Sequence, residues 1–137
     1  MNLRMLIVDD HEFFRRTLCR VLEELPGCEV IGTAADGDDA IELAARLEPT
    51  LIVMDMQMPR RDGLSACRHI KAVRPQTQVI LYSGGRENLA AAQQSGVADA
   101  CLLKDELFTE LSAFAARFMS ESPSSLSGAS SCSSHLG

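Results

Sequence analysis

Five short apolar runs constrain what this chain can fold into: Leu3 to Val8, Glu29 to Ala34, Leu51 to Met54, Gln78 to Tyr82 and Ala100 to Leu103. They lack the apolar–polar alternation of a half-solvated strand, which predicts strands buried on both faces, as in a parallel sheet. Between them, apolar residues recur at three- and four-residue steps: Phe14, Leu18, Val21, Leu22 and Leu25; Ala40, Leu43, Ala44 and Leu47; Phe108, Leu111, Ala115 and Phe118. That spacing predicts amphipathic helices. Pro26-Gly27, Asp36-Gly37, Pro49, Asp62-Gly63, Pro75 and Ser83-Gly84-Gly85 fall at the junctions. The pattern is a repeated strand–helix unit, so the expected fold class is α/β: a three-layer (βα)5 doubly wound parallel sheet. Right-handed crossovers put helices on both faces, and such folds bind ligands at the carboxyl ends of their strands.

Composition removes several alternatives. The chain has 137 residues, 46% of them hydrophobic, which suffices for one domain with its own core. Nineteen acidic against thirteen basic residues give a net charge of −6, and the basic residues are scattered, so no nucleic-acid footprint is visible. The apolar runs are far shorter than the roughly 20 residues of a membrane span, and no signal-peptide pattern precedes the first. A cytoplasmic protein is expected. Cys19, Cys28, Cys67, Cys101 and Cys132 form no C-x-x-C pair and read as reduced packing residues. From Ser120 onward the chain becomes serine-rich, so residues 1–119 read as the folded domain and 120–137 as a disordered tail or linker.

Chemistry resides where polar residues end the apolar runs: Asp9-Asp10 after the first, Asp55 after the third, Ser83 after the fourth, Lys104 after the fifth. Each could merely cap the following helix, and Asp105 reads as such a cap. Their conjunction on one sheet edge instead predicts three carboxylates converging beside a hydroxyl and an ammonium. Three carboxylates repel one another unless positive charge sits among them. Lys104 supplies one charge, and Mg2+ suits the all-oxygen remainder. In such a centre Asp55 can attack phosphorus while Lys104 and Ser83 hold phosphoryl oxygens.

The segments M-L-I-V-D-D-H, L-I-V-M-D-M-Q-M-P, L-Y-S-G-G and C-L-L-K-D, in that order, resemble the receiver domain of two-component response regulators. The resemblance spans Met1 to about Met119 and in style is closest to receivers with helix-turn-helix output domains. It implies a flavodoxin-like strand order 2-1-3-4-5. It implies that Asp55 accepts a phosphoryl group from a sensor histidine kinase or histidine phosphotransfer protein, in a Mg2+-dependent reaction, and that the domain then switches conformation. Asp10 matches the direct metal ligand, Asp9 the ligand acting through water, and Gln57 the residue whose backbone carbonyl completes the site. Ser83 matches the switching hydroxyl and Lys104 its phosphoryl-pairing lysine. No enzymatic turnover of a substrate is implied beyond self-phosphorylation and slow self-dephosphorylation.

Three positions depart from the family. Cys101 stands where an aromatic switch residue is common, Asp105 follows the lysine in place of proline, and Val97 replaces a glycine, with Gly96 adjacent. The Cys101 departure keeps a second reading open, a degenerate receiver acting as a phosphorylation-independent interaction module. A phosphohydrolase fits less well, because Gln57 occupies the position where such enzymes carry a second aspartate. His11 reads as a solvent-facing helix start, Phe13 and Phe14 as core and staple residues, and Arg60-Arg61 as solvated charge. His69 and His135 show no partner pattern.

Overall fold

The computed structural model describes residues 2–120; the serine-rich segment past Ser120, with Cys132 and His135, lies outside them. Strands and helices alternate strictly: β1 (Leu3–Val8), α1 (Glu12–Glu23), β2 (Cys28–Ala34), α2 (Gly37–Leu47), β3 (Leu51–Asp55), α3 (Gly63–Val73), β4 (Gln78–Ser83), α4 (Arg86–Ser95), β5 (Ala100–Leu103) and α5 (Leu107–Ser120). A 3-10 turn, Lys104–Glu106, joins β5 to α5. All strand pairings are parallel, in the order β2-β1-β3-β4-β5. The order reverses between β1 and β3, which places a crevice at their carboxyl ends.

Side chains alternate across the sheet, and the two parities feed two cores. Met5, Ile7, Leu51, Val53, Ile80, Tyr82 and Leu102 pack with Leu18, Leu22, Leu107, Leu111 and Phe114 of α1 and α5. Leu6, Val8, Ile52, Met54, Val79 and Leu81 pack with Ala40, Ala44, Ala66, Ile70 and Leu89 of α2, α3 and α4. Each Leu, Ile, Val, Met or Phe side chain among them contributes about 1.5–3 kcal/mol on burial.

Full burial on both faces holds for β3 and nearly so for β1 and β4, whereas β2 and β5 are only partly buried. The expectation of five doubly buried strands is corrected there: β2 and β5 are the sheet edges, each with a neighbour on one side alone. Phe13 is corrected as well, since it is 84% exposed while Phe14 packs against the α1–α5 core. Phe14, Leu18 and Leu22 form the four-residue stripe, and Phe13 lies about 100° around the helix from it.

Loop chemistry fixes the helix starts near the crevice. Asp36 caps α2 by accepting from the Asp39 amide at 2.9 Å, and Asp62 caps α3 by accepting from Ser65 at 2.8 Å. Asp105 does not cap α5. The 3-10 turn begins directly at Lys104, so the capping carboxylate is Glu106, which accepts the Leu103 amide at 2.9 Å. Arg60 and Arg61 are not free solvated charges. Arg60 pairs with Asp36, and Arg61 Nε donates to Asp38 Oδ1 at 2.7 Å, tying the β3–α3 loop to the start of α2. Gly96 takes the left-handed φ of 67° after α4, so Val97 needs no unusual backbone.

Candidate functional site

The ladder register explains which groups meet. Asp55 pairs with Tyr82, and Ser83 with Leu103, so Asp55, Ser83 and Lys104 sit at adjacent strand ends. Asp9 follows β1 beside them. Carboxylate oxygens of Asp9, Asp10 and Asp55, with a ring nitrogen of His11, lie within 4.8 Å of one another. The three predicted carboxylates therefore converge.

Asp9 is fully buried at the sheet edge and held from several sides. Its Oδ1 accepts the His11 amide at 2.7 Å, its Oδ2 accepts the Tyr82 hydroxyl, and its backbone carbonyl accepts Arg15 Nη1 at 2.7 Å. Burial and the bond to Asp9 push the Tyr82 hydroxyl far above its ordinary range, so it stays a neutral donor. Tyr82 reaches Asp9 because its parity points to the α1–α5 side, where its ring is fully buried. Tyr82→Phe leaves Asp9 Oδ2 without that donor and is expected to destabilise the domain by about 1–2 kcal/mol in urea unfolding near neutral pH. An unchanged midpoint would reduce Tyr82 to a packing ring.

Asp55 is 7% exposed. Its Oδ1 accepts the Gln57 amide at 3.1 Å, which leaves Oδ2 as the oxygen without a hydrogen bond among the described residues. Burial above all, then the Asp9 and Asp10 charges, pushes the carboxyl up to about 6, against the opposing pull of the Gln57 amide and Lys104. The crevice is therefore short of positive charge.

Lys104 lies at the predicted strand end without joining the carboxylates in an ion pair among the described residues. Its Nζ sits 4.1 Å from the centroid of the Phe14 ring. Ser83 is 1% exposed, and its Oγ accepts the Gly85 amide at 3.2 Å. Cys101 is half-buried on the opposite core, toward α4, with its thiol pushed up by burial. His11, read from the sequence as solvent-facing, is partly exposed as expected, yet its Nδ1 turns to within 3.2 Å of Asp9 Oδ1 and 3.3 Å of Asp10 Oδ1. Tyr82 and Phe14 are the contributors that sequence reasoning missed; an aromatic in a buried strand or helix stripe signals packing alone.

Five parallel strands in the order 2-1-3-4-5, alternating with helices, define a flavodoxin-like α/β domain, and three carboxylates converge in the crevice at its switch point. Residues 5–115 match the model of the response regulator receiver domain, and the chain belongs to that family. Among curated proteins, it is 47% identical over 96 residues to a protein-glutamate methylesterase/protein-glutamine glutaminase of Alkalilimnicola ehrlichii, covering 66% of this chain. The chain spans 24% of that relative's length. Among solved structures, it resembles the response regulator domain of Thermotoga maritima CheB, with 30% identity and a TM-score of 0.77 over 90% of this chain and all of that one. The signal receiver domain of the response regulator NarL from Mycobacterium tuberculosis is 29% identical, with a TM-score of 0.76 over 88% of this chain and 98% of that one. The family expected from the motifs is thus the family found. No described helix is long and apolar enough to cross a membrane.

Proposed function

We propose that the domain accepts a phosphoryl group on Asp55 from a sensor histidine kinase or histidine phosphotransfer protein and relays a signal in the cytoplasm by changing conformation. The observation that carries this reading is Asp55 itself: a buried carboxylate, one oxygen held by Gln57, the other without a hydrogen bond among the described residues, beside two further carboxylates. The Oδ2 atom forms the new bond to phosphorus as the donor's phosphorus–nitrogen bond breaks, and the donor imidazole retains that electron pair. Ser83 and Lys104, at the adjacent strand ends, hold the transferred oxygens, and displacement of Ser83, with Cys101 in place of the usual ring, starts the switch.

The donor set fits Mg2+. Its candidate ligands are hard carboxylate oxygens, Asp10 and Asp55 directly and Asp9 through water, with the Gln57 carbonyl completing the set. His11 adds a nitrogen that Mg2+ disfavours relative to oxygen. When bound, the ion neutralises phosphoryl oxygens. Asp9, pinned by Tyr82 and His11, keeps its charge aimed into the crevice without rearranging.

Incubation with acetyl phosphate and Mg2+ is expected to add one hydroxylamine-labile phosphoryl mass to the wild-type chain and none to Asp55→Asn. Asp10→Asn is expected to weaken Mg2+ binding at least 10-fold, roughly 1.4 kcal/mol or more. The same mass on the Asp55→Asn chain, or no uptake by wild type, would overturn the assignment; the latter is the behaviour of a phosphorylation-independent interaction module.

A further inference from the structure

The Lys104 ammonium at the crevice rests on a ring and joins no carboxylate in an ion pair among the described residues. Lys104 Nζ rests over the Phe14 ring, and Phe14 meets Tyr82 at a centroid distance of 5.8 Å and Phe108 at 6.0 Å, edge-on. Tyr82 in turn donates to Asp9. One aromatic cluster spanning α1, β4 and α5 therefore anchors both a carboxylate of the acidic centre and the lysine that would pair with a phosphoryl group.

We propose that Phe14 is a positioning residue: its ring holds the Lys104 ammonium out of an ion pair with Asp55 in the resting domain, and a phosphoryl group on Asp55 draws Lys104 off that ring. The inference rests on the phosphoacceptor reading. An ammonium over an aromatic face contributes about 2- to 30-fold to an equilibrium, depending on desolvation. A phosphoryl group offers charge-assisted hydrogen bonds about twice as strong as neutral ones, so it can outcompete the ring. Leaving the ring still subtracts from the binding of the phosphoryl group, and the contact thereby biases the resting state. Phe108 on α5 touches the vacated ring, so the α1–α5 side feels the transfer, independently of an aromatic residue at Cys101.

The test uses the full chain with Mg2+ and beryllofluoride as the phosphoryl mimic, followed by NMR of Lys104. Its ε-methylene protons are expected to be shielded by the Phe14 ring in the free protein and to return to ordinary values in the complex. Phe14→Leu is expected to tighten beryllofluoride binding about 3- to 10-fold, and to leave it unchanged in a Lys104→Met background. Unshielded protons in the free protein, shielding that persists in the complex, or an equal Phe14→Leu effect with and without Lys104 would overturn the proposal. Shielded protons in a wild-type chain that binds no beryllofluoride would instead defeat the phosphoacceptor reading, and this inference with it.

Discussion

Asp55→Asn is expected to stabilise the metal-free domain by about 2–3 kcal/mol near neutral pH. Burial and the neighbouring carboxylates raise the Asp55 carboxyl from 3.8 to about 6. For an acid raised on folding, the favourable contribution belongs to the protonated form: it is fully present below the unfolded value of 3.8 and is lost as pH rises through about 6. At neutral pH the ionised side chain therefore opposes folding, and a neutral amide of the same shape relieves that strain while keeping an oxygen for the Gln57 amide. The gain in Asn over Asp is expected to shrink as pH falls through 6 and to vanish near 4, as followed by urea midpoints across pH. Added Mg2+ should close the gap from the other side, since it binds the folded wild-type carboxylates and not the variant's amide. A variant less stable than wild type at neutral pH would mean that the Asp55 charge is already compensated.

The strand ends were legible because each apolar run stops at a polar residue, and a parallel sheet brings all such stops to one edge; Asp9, Asp10, Asp55, Ser83 and Lys104 follow from that alone. What the chain's order hides is who faces whom. Tyr82 and Asp9 lie 73 residues apart, and their bond depends on two strands sharing parity across β3. Coulomb's law applied to the composition of the crevice places Lys104 among the carboxylates, whereas a ring one turn into α1 competes for it. Phe13 and Phe14 look equivalent as neighbours in sequence, although helical period already separates them: only Phe14 shares the stripe of Leu18 and Leu22. Arg60 and Arg61 look like surface charge because their acidic partners belong to the start of α2, more than twenty residues earlier, and His11 looks like a helix start because its ring's orientation follows from the bond between its amide and Asp9.

Gly63→Ala should produce a comparably large effect of opposite sign, a loss of about 3 kcal/mol. Gly63 opens α3 and donates its amide to the Met56 carbonyl at 2.8 Å, so helix and strand exit are in direct backbone contact. An added Cβ would press on the Asp55 carbonyl oxygen and come within 2.9 Å of Met56 Cα. Backbone atoms at the end of a buried central strand cannot rotate away as a flexible side chain can, so relief requires α3 to lift or β3 to shift. Either movement displaces Asp55 relative to Asp9 and Asp10, so phosphoryl uptake and Mg2+ affinity should fall together with stability. Gly84→Ala is the matched control: it lies after Ser83 at the same edge, where a Cβ meets nothing within 4 Å, and its effect should stay within about 0.5 kcal/mol. Equal behaviour of the two alanines in urea unfolding would show that the α3–β3 contact is slack and that the position of Asp55 is set elsewhere.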